Sequence, residues 1–146
     1  MRRFPLLSVL GYRKNAEDMA QLALTRARQE YQSLKDHKQA EEKRLLDVRQ
    51  EFEAQQARGM TCMTMLLYQQ CLESIAREVH KIDADIARAG QKVEDKKQAL
   101  HKACTDKKML EKLNERHDHR MRLEDNRMET LQLDDVAVFG WGRGGS

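Results

Sequence analysis

The sequence predicts an all-α protein, a long two-helix antiparallel coiled-coil hairpin that ends in a disordered C-terminal tail. Three observations predict it. From Tyr68 to Leu110, the residues Leu72, Ile75, Val79, Ile82, Ile86, Ala89, Val93, Leu100, Ala103 and Leu110 recur in steps of three and four, or multiples of them. That mean spacing of about 3.5 holds one helix face against a partner helix. Composition agrees: 35% of residues are charged, 5% are aromatic and there is one proline, the profile of long charged helices rather than a thick core. Finally, Arg58-Gly59-Met60-Thr61 is the one strong break before the C-terminus.

Taken in order, residues 1–7 are a basic and then apolar lead-in. Pro5 suits the first turn of a helix, where its missing N–H costs nothing. The first helix is expected over about 8–58. Its stripe runs through Leu10, Ala20, Leu24, Ala27, Tyr31, Leu34, Leu45, Val48 and Phe52, broken by opposite-charge neighbours Arg13/Glu17 and Lys38/Glu41 that weaken the seam but help to fix register. The turn is placed at 59–61. Gly59 can take the left-handed conformation that closes a helix, and Thr61 is a fair N-cap for the next. The second helix is expected over about 62–131, where Gly90 costs about 1 kcal/mol against alanine without forbidding helix. Residues 134–146, ending Gly-Trp-Gly-Arg-Gly-Gly-Ser, read as a flexible tail of a single hairpin domain, 1–146.

So narrow a seam is not stable alone, and a short connection favours antiparallel neighbours in one chain. A tethered partner also has a higher effective concentration than a second copy. Aligning the two apolar stripes pairs residues whose numbers sum to roughly 124, with Phe52 opposite Leu72, Leu45 opposite Val79 and Leu24 opposite Leu100. At 1.5 Å per residue the helices would measure about 75 and 100 Å. A homodimeric coiled-coil scaffold is the competing reading.

Charge and cysteine usage exclude several functions. The net charge is +3, from 27 basic and 24 acidic side chains that alternate closely. Alternation makes a solvated face and is a poor footprint for nucleic acid. Cys62, Cys71 and Cys104 are odd in number and lack CxxC spacing. With no signal peptide and no apolar run of spanning length, the expectation is a reducing cytoplasm without membrane insertion. His117 and His119 diverge by about 200° on a helix and cannot share a metal. The glycine-rich end lacks the strand, Gly-Lys-Ser/Thr and helix of a phosphate loop. A two-helix rod has no concave pocket to tune its carboxylates, so no enzyme activity, metal or cofactor is expected.

Two surface features remain. Met60, Met63, Met65, Leu66, Leu67 and Tyr68 are more apolar than one seam can hide; they read as a plug closing the hairpin or as a sticky tip. At the other end Arg2, Arg3, Arg13 and Lys14 approach Arg116, Arg120, Arg122 and Arg127. Acidic Glu115, Asp118, Glu124 and Asp125 moderate this cluster, which reads as a solvated face or as a surface docking onto an acidic protein.

Phe4-Pro-Leu-Leu-Ser-Val-Leu10 with Tyr12-Arg13-Lys14 and Glu17-Asp18-Met19-Ala20 resembles the start of FliJ/YscO-type proteins. Tyr68-Gln-Gln-Cys-Leu-Glu-Ser-Ile75 resembles their Tyr-Gln-x-Phe-hydrophobic stretch, with Cys71 where an aromatic is usual. Glu124-Asp-Asn-Arg-Met128 and Leu133-Asp-Asp-Val-Ala137 resemble their ending. The resemblance implies a non-enzymatic cytoplasmic stalk of a type III export apparatus, flagellar or injectisome, peripherally associated at the inner membrane. It implies as partners a hexameric export ATPase, the membrane export gate and export chaperones. By position it implies gate contact at Gln70, Cys71, Ser74, Ile75 and Glu78. It also implies a terminal end that enters the ATPase ring, where Arg13, Lys14, Arg116, Arg120, Arg122 and Arg127 lie.

Overall fold

A computed structural model describes residues 6–144, with side chains through residue 140. It contains two helices, α1 (Leu7–Arg58) and α2 (Cys62–Gly144), packed as an antiparallel hairpin. The expectations for Pro5, Arg2 and Arg3, and the last two residues of the tail, lie outside the described residues. The chain divides into two compact units: a turn unit, Met19–Leu100, and a terminal unit made from Met1–Asp18 and His101–Ser146.

In the turn unit, local chemistry makes the reversal. Gly59 has φ 97°, a left-handed conformation that a Cβ would strain, and its N–H donates to the Gln56 carbonyl at 3.2 Å. Thr61 caps α2: its Oγ1 accepts the Thr64 N–H at 3.2 Å, and its carbonyl accepts the Met65 N–H at 3.0 Å. The core of this unit is one seam wide. Leu24, Ala27, Ile75, Ile82 and Ala89 are buried, and the rest of the stripe from Ala20 to Phe52 and from Leu72 to Leu100 is half-buried at nearly every position.

The register differs from the one that aligning the apolar stripes suggests. Phe52 packs its ring on Tyr68 (centroids 5.4 Å, planes 46° apart), not on Leu72. Lys38 reaches Asp83 at 2.6 Å, Lys92 reaches Glu30 at 3.3 Å, and Gly90 lies against the Tyr31 ring. In the turn unit these paired numbers sum to about 120–122, a register that brings Leu45 nearer to Ile75 than to Val79. The turn is the cause. With α1 ending at Arg58 and α2 starting at Cys62, the pairing within the turn unit is centred near residue 60. The Tyr31 ring packs against Gly90 on the facing helix.

The terminal unit keeps the same stripe phase but fills it differently. Among its described residues none is buried; Ala16, Ala103, Leu110, Asn114, His117 and Met121 are half-buried. Charged layers take the place of apolar ones. Glu17 and Lys107 pair at 2.8 Å with each side chain about a fifth exposed, and Arg13 donates to Asp106 at 3.3 Å. Past Met121 every described side chain is exposed. The helix nevertheless continues to Gly144, beyond the end near 131 that its stripe marks and through most of the stretch read as a flexible tail. No proline stops it, and extending a formed helix requires no new nucleation.

Candidate functional site

Packing of α1 against α2 in the turn unit builds a groove of about 390 Å3. Cys71, Ser74, Ile75 and Glu78 supply one wall, and His37, Glu41 and Arg44 the other. Four of the five residues expected at a gate contact thus share one concavity. Gln70 is exposed and does not line it. Ile75 is 3% exposed: it belongs to the seam and offers the groove only an edge. At the rim Glu41 lies 3.8 Å from His37 Nε2 and 3.7 Å from Arg44, and Glu78 adds a second carboxylate.

The α1 wall was not visible in the sequence. His37, Glu41 and Arg44 stand out by no motif, and only the register turns them toward Cys71 and Ser74. A second, more apolar groove of about 300 Å3 adjoins the first at Cys71 and is lined by Val48, Glu51, Thr64, Leu67 and Tyr68. The Tyr68 hydroxyl donates to Glu51 Oε1 at 3.1 Å. Partial desolvation first, then that hydrogen bond and the nearby carboxylate charge, push its pKa above the usual tyrosine value. The methionine-rich tip divides: Met60, Met65 and Tyr68 are half-buried, whereas Met63, Leu66 and Leu67 are 70%, 50% and 59% exposed. It acts as a plug and leaves an apolar surface.

The basic cluster falls in the terminal unit and is less uniform than its composition suggests. Arg13 is committed to Asp106, while Lys14, Arg116, Arg120, Arg122 and Arg127 are exposed. Steps of four and seven bring Arg116, Arg120 and Arg127 onto one helix face, and Arg122 points about 200° away from Arg120. Among the described residues, no group of three or more His, Cys, Asp or Glu is placed to hold a metal ion, and no helix is long and apolar enough to cross a membrane.

These features are chemically suited to holding partners: a largely polar groove, a more apolar one beside it, and a cationic helix face. No curated protein sequence matches the chain significantly. A solved structure of a YscO homolog, CT670 from Chlamydia trachomatis, superposes with a TM-score of 0.71 at 18% identity, covering 94% of this chain and 93% of that one, a likeness of fold. The family described as "Flagellar FliJ protein" matches residues 1–146, the entire sequence. The chain therefore belongs to the FliJ family, and with it to the proteins of flagellar and type III export.

Proposed function

We propose that this protein is a non-enzymatic stalk of a type III export apparatus, binding the hexameric export ATPase and coupling it to the membrane export gate, with export chaperones as further partners. In this reading it is cytoplasmic and held peripherally at the inner membrane. The observation that carries the proposal is the family match over residues 1–146. The structural features support it. The groove at Cys71, Ser74 and Glu78 offers a gate segment a mostly polar concavity, and His37, Glu41 and Arg44 add a second wall. The exposed face of Arg116, Arg120 and Arg127, with Lys14 nearby in sequence to the paired Arg13, offers an acidic ring lining its complement.

The test separates the two contacts. Arg116→Glu, Arg120→Glu and Arg127→Glu together should abolish stimulation of the purified ATPase while helicity is preserved, because these side chains lie off the seam. Cys71→Lys with Ser74→Glu should leave stimulation intact and impair export in cells. Arg122→Glu should have little effect on either. Equal loss of stimulation from the groove and arginine sets, with helicity retained, would overturn the two-contact stalk.

A further inference from the structure

Charge along the terminal unit's part of α2 is sorted by face. From His101 to Leu131 the helix carries seven carboxylates: Asp106, Glu111, Glu115, Asp118, Glu124, Asp125 and Glu129. At about 100° per residue, none of them falls on a strip roughly 140° wide that holds Lys102, Lys108, Lys112, Arg116, Arg120 and Arg127. All six cations are exposed, and among the described residues none of them forms an ion pair. Interleaved with them on the same strip are Met109, Leu113, Leu123 and Leu131, which are 61%, 44%, 55% and 53% exposed. The strip extends for about 45 Å and points away from the seam residues Ala103, Leu110 and Asn114.

We propose that this face of α2 is an adsorption surface for an anionic phospholipid bilayer. The charge on the strip is of one sign and unneutralised, as attraction to phosphate headgroups requires. The apolar side chains recur between the cations, so methionine and leucine can enter the headgroup layer while the long lysine and arginine stems reach back to the phosphates. The face is a convex helix surface, and the grooves described above all lie in the turn unit. A bilayer needs no concave complement. Three of the six cations are lysines, a residue depleted at protein–protein interfaces. The strip carries no Phe, Tyr or Trp on which a nucleobase could stack; its only rings are the imidazoles of His101 and His119. Contact is adsorption rather than insertion, since among the described residues no helix can cross a membrane.

The inference does not rest on the stalk reading, although Arg116, Arg120 and Arg127 serve in both. One molecule would therefore use these arginines for the membrane or for the ring at a given moment, not for both. The test uses substitutions outside the ring contact. The full chain is sedimented with vesicles of phosphatidylcholine alone and of phosphatidylcholine mixed with phosphatidylglycerol. It should pellet with the anionic vesicles only, and less as salt is raised. Lys102→Glu, Lys108→Glu and Lys112→Glu together should weaken binding by at least about a hundredfold, since losing each cation costs roughly a factor of five and the new carboxylates are repelled. The milder set with glutamine at the same positions should give the same direction should the reversals disturb folding. Lys43→Glu, Arg49→Glu and Arg77→Glu, equal in charge but exposed in the turn unit, should bind as the parent does. Comparable pelleting with uncharged vesicles would overturn the proposal. So would equal losses from the two charge-reversal sets, or binding of duplex DNA as tight as that of the anionic vesicles at the same salt.

Discussion

The turn unit and the terminal unit carry the same heptad phase and reach different kinds of packing. In the turn unit the stripe positions are mostly apolar, with Lys38 and Glu41 the charged exceptions on α1, and Leu24, Ala27, Ile75, Ile82 and Ala89 are lost from solvent. In the terminal unit Arg13, Glu17, Lys107, Asn114 and His117 interrupt Leu10, Ala103 and Leu110, and no described residue is buried. A heptad pattern fixes which face turns inward, but the side chains on that face decide whether it closes as a core or as a ladder of ion pairs. Half-exposed pairs contribute little individually to stability, so the terminal unit should open more readily than the turn unit.

The largest expected effect tests the register on which this comparison stands. With the three natural cysteines replaced by serine, Leu45→Cys with Ile75→Cys should oxidise rapidly within one chain, and Leu45→Cys with Val79→Cys should lag well behind. Non-reducing electrophoresis over an oxidation time course reads the difference. Faster closure of the second pair would restore the register in which numbers sum to about 124, and mainly intermolecular product at low concentration would favour a dimer.

Next in size are truncations, one in each unit. Ile82 is 2% exposed, and Ile82→Ala should cost about 2–4 kcal/mol. Half-buried Leu110, truncated to alanine, should cost about 1 kcal/mol because less apolar area is lost. Denaturant melts compare them, and equal costs would erase the distinction between core and ladder.

Alkaline titration should then find both units weakening in the same window. Hydrogen bonding to Glu17 is the largest influence holding the Lys107 pKa above its ordinary value, and Asp83 does the same for Lys38. Tyr68 is also raised, through desolvation and Glu51. In each case the folded state holds its proton more tightly than the unfolded chain. The contribution is complete below the unfolded values, near pH 10, and is lost as pH rises through the folded ones. Lys107→Gln should flatten the alkaline loss of amide protection over residues 7–18 without changing that over 24–52. Hydrogen exchange at two alkaline pH values would show whether it does.

The smallest effect is local. A Cβ at Gly90 would meet Tyr31 Cε2 at 3.4 Å, ordinary contact, so Gly90→Ala should stabilise the turn unit by about 0.4–1 kcal/mol. A melt showing destabilisation would mean that Tyr31 cannot yield even slightly.

Much of this molecule follows from local chemistry. The three-four spacing alone marks the inward face: Leu10, Leu24, Tyr31, Leu34, Leu45, Val48 and Phe52 on α1, and Leu72 through Leu110 on α2, are the residues that become buried or half-buried. Gly59 and Thr61 adopt the backbone and capping roles that their side chains favour, and the order of short motifs along the chain already resembled the family to which it belongs. Periodicity cannot choose a register, because sliding one stripe past the other by about half a heptad leaves apolar residues facing apolar residues at nearly the same energy. That choice was made by the three-residue turn together with contacts between residues distant in sequence: Phe52 with Tyr68, Tyr31 with Gly90, and Lys38 with Asp83. The second wall of the groove follows from it, as does the withdrawal of Arg13 from the free cations by Asp106, because a side chain's neighbours across a seam are a property of the pairing and not of either helix.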